Sequence, residues 1–121
     1  MIIPKEEFDK FKKYFKEYQT LLNLNDWQIF FMQDKLKDKF AKLIIDSRSK
    51  SASVVLTNEI PDHLSKNGNW KGVKMIALHE TLHLLLTNVI QLGAENISER
   101  DLKLLKMYEE SVIRVLEKVI K

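Results

Sequence analysis

Cysteine is absent from the 121 residues of this chain. Disulfide bonds, thiolate metal sites and cysteine nucleophiles are therefore excluded, and a metal ion would be held by histidine, aspartate or glutamate. No apolar run is long enough to span a bilayer. The first residues, MIIPKEEFDK, lack the basic and apolar regions of a signal peptide. These absences predict a cytoplasmic protein that does not insert into a membrane.

The residues that are present have the composition of a folded domain. Hydrophobic residues make up 45% of the chain and charged residues 31%, which is the balance of a globular protein rather than a disordered one. A chain of this length forms one domain with one core, so we predict a single domain over residues 1–121. Nothing in the sequence indicates an oligomeric state.

The hydrophobic pattern of the first half predicts one helix followed by three strands. Residues 5–22 repeat aromatic side chains at helical spacing, directly after Pro4. Strands are predicted at residues 27–33, 39–47 and 51–57, and the short SRSK segment between the last two indicates a hairpin. Because the three strands follow one another closely, we predict an antiparallel meander.

The second half predicts a long loop and two helices. Residues 58–70 are rich in loop-forming residues, and residues 71–92 form a strongly apolar helix that is expected to end at Gly93. Ser98 is predicted as the N-cap of the last helix, with Asp101 three residues later in an arrangement similar to a capping box. The fold class predicted from this order is α+β.

The apolar helix contains the stretch IALHETLHLLL, in which His79, Glu80 and His83 interrupt a hydrophobic run. Positions i and i+4 share one face of a helix, so the two imidazoles can form half of a tetrahedral zinc site. The spacing matches the HExxH pattern of zinc peptidases, in which the glutamate is the general base. A chance match is the alternative, but buried polar groups without a partner are costly, so we predict a zinc site.

A catalytic zinc needs a third protein ligand. The residues after His83, LLLTNVIQLGA, exclude the metzincin and Spartan-type spacings, and the remaining His63 lies in the predicted loop. On the last helix, Glu109 fills the gap in an apolar stripe, where a carboxylate needs a partner. We therefore predict Glu109 as the third ligand, with Glu110 as the alternative. The stripe consists of Leu102, Leu105, Val112, Leu116 and Val119.

The segments ALHETLHLLL and YEESVIRVLEKVI resemble the minimal gluzincins. These are small zincin-type metallopeptidases, common in phage and mobile-element proteins, with HExxH on one helix and a ligand glutamate on the next. The resemblance covers roughly residues 25–121. It implies a zincin-like fold, a Zn²⁺ ion bound by His79, His83 and Glu109, and Glu80 as the catalytic base in hydrolysis of a protein or peptide substrate.

The same resemblance implies that the strand at 51–57 borders the substrate cleft and can pair with an extended peptide. The chain departs from larger gluzincins because it lacks a second lobe and an obvious oxyanion-stabilising side chain. Tyr108 and His63 are the candidates for that role.

Two other functions are compatible with the sequence. A zincin-like domain can hold zinc and serve as an interaction module, but Glu80 favours an enzyme because a structural site needs no base. A nucleic-acid-binding protein is suggested by the net charge of +3, and its binding would weaken steeply with salt. The lysines are interleaved with acidic residues and form no basic stripe, so nucleic acid is the least favoured partner.

Overall fold

A computed structural model describes residues 2–60, 62, 71–94 and 98–120. These residues form an α+β fold, as predicted, and no helix in them is both long enough and apolar enough to span a membrane. His63 and most of the predicted loop at 58–70 lie outside the described residues. The elements are α1 (Lys5–Leu21), β1 (Gln28–Asp34), β2 (Ala41–Asp46), β3 (Ser51–Thr57), α2 (Val73–Ala94) and α3 (Glu99–Ile120).

Local signals explain where the helices begin and end. After α1, Asn23 adopts a positive φ of 59°, and the Leu24 N–H donates to the Gln19 carbonyl at 2.8 Å, which is a Schellman-type end. Ser98 caps α3 as predicted, because its hydroxyl accepts the Asp101 N–H at 3.3 Å. The helix predicted at residues 71–92 ends two residues later than expected, since α2 continues through Gly93 to Ala94; a glycine weakens a helix without necessarily ending it.

The sheet is mixed, so the predicted antiparallel meander is wrong. The strand order is β1–β3–β2, with β3 antiparallel to β2 and parallel to β1. The predicted β2–β3 hairpin is confirmed. The burial pattern agrees with this order: β3 is buried at five of its seven positions, whereas β1 and β2 alternate between more and less exposed residues. The strand that is buried on both faces takes the central position, where neighbours pair with both of its edges.

The helix α2 lies at the centre of the packing. It contacts α1, β2 and α3, and Leu78 and Leu82 are fully buried within the core. On the opposite side of the core, Phe15 of α1 packs edge-on against Phe31 of β1, with ring centroids 5.4 Å apart. Among its described residues, the partly exposed His79, His83 and Thr87 line a cleft between β2 and α3.

The inward face of α3 differs from the predicted stripe. Ile113 is fully buried, whereas Leu105, Val112 and Val119 are 38%, 42% and 76% exposed. The stripe prediction was therefore wrong at these three positions, although Leu102 and Leu116 are partly buried. The reason is that α3 carries apolar residues on two neighbouring faces, and periodicity alone does not show which face packs against the core.

Candidate metal centre

His79 and His83 lie on the partly exposed face of α2 and point to the same place, as the i, i+4 spacing predicts. Their Nε2 atoms are 3.1 Å apart, and their rings are inclined at 70°. The helix starts directly after Gly72, whose φ of +90° favours glycine. The fully buried Thr81 lies between the two histidines in sequence and donates its hydroxyl to the Ala77 carbonyl at 2.9 Å. Local helix geometry thus fixes the histidine pair.

The carboxylate that reaches this pair of Nε2 atoms belongs to Glu110. Its Oε1 lies 2.8 Å from Nε2 of His83, and its Oε2 lies 3.7 Å from Nε2 of His79. Among the described residues, these three side chains form the group that could hold a metal ion, with one donor atom from each lying within 4.8 Å of the others. The sequence-based choice of Glu109 does not agree with this arrangement.

Glu109 and Glu117 instead contact the opposite nitrogens of the two imidazoles. The Glu109 Oε1 lies 3.1 Å from Nδ1 of His83, and the Glu117 Oε1 lies 3.2 Å from Nδ1 of His79. A proton on each Nδ1 can be donated to these carboxylates, which leaves each Nε2 unprotonated and available to a metal. Each histidine is therefore held between two glutamates of α3.

The buried Ile113 explains how one helix supplies three glutamates to the same site. Glu109 and Glu110 precede Ile113 by four and three residues, and Glu117 follows it by four. Side chains at these spacings share a face of an α-helix. Once Ile113 is anchored in the core, all three carboxylates are directed toward α2. Sequence reasoning missed Glu117, although its spacing from Ile113 is the signal that identifies it.

The donor atoms fit a zinc ion in chemistry and in spacing. Two unprotonated imidazole nitrogens and a carboxylate oxygen are all acceptors, so a cation at their meeting point satisfies them together. Tetrahedral zinc with bonds of about 2.0–2.1 Å separates its ligand atoms by about 3.3 Å. The 3.1 Å and 2.8 Å separations around His83 Nε2 are close to this value, and the 3.7 Å separation is slightly longer.

Glu80 lies beside the histidines and is only 7% exposed. Burial raises the pKa of the Glu80 carboxyl above its ordinary value, whereas the nearby imidazoles of His83 and His79 act in the opposite direction. The side chain nevertheless borders the same cleft as the histidines. The structure thus brings Glu80, His79 and His83 to one place, as the HExxH pattern predicts.

A cleft of about 1270 Å³ gives access to this site. It lies between β2 on one side and α3 on the other, with α2 at its base. The implied position of strand 51–57 is wrong, because β3 is central and β2 separates it from the cleft. Tyr108 is 63% exposed and does not line the cleft. The lining also includes several charged residues, among them Lys39, Lys42, Glu80, Glu110, Arg114 and Lys118.

The chain was compared with family models, curated proteins and solved structures, and none of them matches it. Any conclusion about its function therefore depends on the arrangement of His79, His83, Glu110 and Glu80.

Proposed function

We propose that this protein is a zinc-dependent peptidase of zincin type, with His79, His83 and Glu110 as the metal ligands and Glu80 as the general base. One observation carries the proposal: two imidazole nitrogens and a carboxylate converge next to a buried glutamate at the base of an open cleft. A purely structural zinc site usually has four protein ligands, whereas a catalytic site has three and leaves one position open.

Glu110 replaces Glu109 in the proposed ligand set because Glu110 contacts the Nε2 side of the histidines. Glu109 and Glu117 would then orient the rings through Nδ1. Such outer carboxylates fix the tautomer of a ligand histidine and make it a better donor. α3 thus supplies the third ligand and both Nδ1 partners, whereas α2 supplies the two histidines.

The catalytic step assigned to Glu80 is a proton transfer. A zinc ion at the site would supply Lewis-acid chemistry, by lowering the pKa of a water molecule to about 7 and by polarising the scissile carbonyl. Glu80 accepts a proton as the water attacks the carbonyl carbon, and it then delivers this proton to the nitrogen of the departing amine. The atoms balance, because the water supplies OH to the new carboxyl group and H to the new amine.

An extended protein or peptide segment is the substrate that best fits the cleft. In the described part of the chain, β2 pairs only with β3, so its second edge keeps backbone donors and acceptors for another strand. Ala41, Leu43 and Ile45 of this strand border the cleft. A substrate backbone can add to such an edge by strand pairing.

Two variants test the proposal. Purified protein should contain about one zinc per chain by elemental analysis, and His83→Ala should lose it. Glu80→Gln should keep the zinc but cleave a synthetic peptide mixture about 10²–10⁴-fold more slowly, because only the base is removed. Cleavage is read by mass spectrometry. Wild-type rates in Glu80→Gln, or undiminished zinc in His83→Ala, would overturn the proposal.

A further inference from the structure

The walls of the cleft carry positive charges on both sides. Lys39 and Lys42 lie on the β2 side, and Arg114 and Lys118 lie on the α3 side. All four residues are exposed. A chain lying along the cleft would therefore pass between two cationic walls.

The three glutamates of α3 that line the cleft surround the histidines instead. The side chains of Glu109 and Glu117 are only 15% and 18% exposed, and each contacts a histidine. Glu110 is more open, at 46%, but it contacts His83. Apart from Asp38, next to Lys39 on the β2 side, the negative charge of the lining is thus concentrated around the histidines, where a zinc ion would offset it, and the exposed positive charges flank this region.

Three of these cationic side chains differ from several lysines elsewhere in the protein because they form no ion pair with a described acidic side chain. Lys42, Arg114 and Lys118 have no acidic side chain of the described residues within 4.0 Å. Outside the cleft, four of the described lysines do lie that close to an acidic partner, in the pairs Lys10–Glu7, Lys12–Asp9, Lys35–Glu59 and Lys50–Asp26. These three cleft cations are therefore available to a bound molecule.

We propose that the cleft selects acidic peptides, with aspartate or glutamate side chains of the bound segment placed between Lys42 on one wall and Arg114 and Lys118 on the other. This inference rests on the proposed function, because it takes the cleft as the substrate site. Complementary charge raises both specificity and the rate of encounter. A nucleic acid is also anionic, but the unpaired edge of β2 is complementary to a peptide backbone rather than to a sugar–phosphate chain.

The test measures binding separately from cleavage. Fluorescein-labelled peptides of about ten residues, alternating alanine with glutamate, glutamine or lysine, are titrated with zinc-loaded and with metal-free Glu80→Gln protein, and anisotropy is followed. The glutamate peptide should bind about tenfold more tightly than the glutamine peptide, since each exposed ion pair contributes a few-fold. The ratio should fall as salt is added.

A pair of double variants separates the cleft from net charge. Lys42→Glu with Lys118→Glu should abolish or reverse the preference for the glutamate peptide. Lys5→Glu with Lys13→Glu changes net charge equally but lies on α1, away from the cleft, and should leave the ratio within about twofold. Equal binding of the glutamate and glutamine peptides, or equal effects of the two double variants, would overturn the inference.

The outcomes also distinguish this inference from the proposed function. Selective binding of the glutamate peptide without cleavage by the wild-type protein would support an acidic-peptide site and contradict the proposed peptidase function. Cleavage of the glutamate and glutamine peptides with the same kcat/KM would contradict the inferred selectivity but support the proposed peptidase function. An oligothymidylate of similar length that binds more tightly than the glutamate peptide would overturn the choice of a peptide ligand.

Discussion

At the scale of single residues, two adjacent glutamates of α3 meet opposite sides of one imidazole. Glu110 approaches Nε2 of His83 at 2.8 Å, and Glu109 approaches Nδ1 of the same ring at 3.1 Å. Consecutive residues on a helix are rotated by about 100°, yet both carboxylates reach His83 because α3 packs beside it. The two residues therefore have the same chemistry but different expected effects on metal affinity.

Removal of Glu110 should weaken zinc binding more than removal of Glu109. Glu110→Ala deletes a proposed ligand, whereas Glu109→Ala and Glu117→Ala delete partners of Nδ1, whose loss typically costs about 10–100-fold in affinity. Competition with a chromophoric zinc chelator measures the three dissociation constants. Ser111→Ala, at an exposed position of the same helix, is the control and should match the wild type. A larger loss of zinc affinity in Glu109→Ala than in Glu110→Ala would identify Glu109, the residue predicted from the sequence, as the third ligand.

The sequence predicted the α2 half of the site better than the α3 half. His79, Glu80 and His83 belong to one short motif, and local helix geometry alone brings the histidines together. The choice between Glu109 and Glu110 depends on how α3 is rotated about its axis. That rotation is set by tertiary packing of Ile113, which the pattern of apolar residues does not specify.

At the scale of elements, α3 contacts the core through the fully buried Ile113 and the partly buried Leu116 and Ile120. Among the described residues of α3, Ile113 is the one that is fully buried. The outer face of this helix exposes apolar side chains, including Val112, to solvent. The same helix supplies Glu110 and both Nδ1 partners. Attachment of α3 and assembly of the proposed metal site are therefore expected to depend on each other.

Truncation of Ile113 should test this dependence. Ile113→Ala should lower the free energy of unfolding by about 2–4 kcal/mol, because it leaves a cavity in the core, and it should weaken zinc binding although no ligand is changed. Val112→Ala, the neighbouring exposed position, should cost less than about 1 kcal/mol and keep zinc affinity. Urea unfolding with and without zinc gives both quantities. Equal costs for the two variants would mean that α3 packs on the face the sequence indicated.

The strands show the same division between local and tertiary information. Segment 51–57 was predicted with the bounds that β3 has, because β-branched and apolar residues mark it. Its pairing was not predicted, since sequence proximity favoured β1 next to β2. β3 is buried at five of its seven positions, as expected of a central strand, and β2 is thereby left to border the cleft.

At the scale of the whole molecule, the proposed site joins parts of the chain that are distant in sequence. His79 and His83 come from the central helix, Glu110 comes from the last one, and β2 forms the opposite wall of the cleft. A metal ion held by α2 and α3 would bind the native arrangement and not the unfolded chain. Its binding free energy then adds to the stability of the fold.

Zinc should therefore raise the thermal midpoint of unfolding. At free zinc about a hundredfold above its dissociation constant, the added stability is about 2.7 kcal/mol, which corresponds to roughly 10 °C for a domain of this size. Differential scanning fluorimetry with zinc and with a chelator measures the shift. The double variant His79→Ala with His83→Ala should show no shift, because two of the three ligands are gone. The same shift in that variant would mean that zinc stabilises the protein at another place.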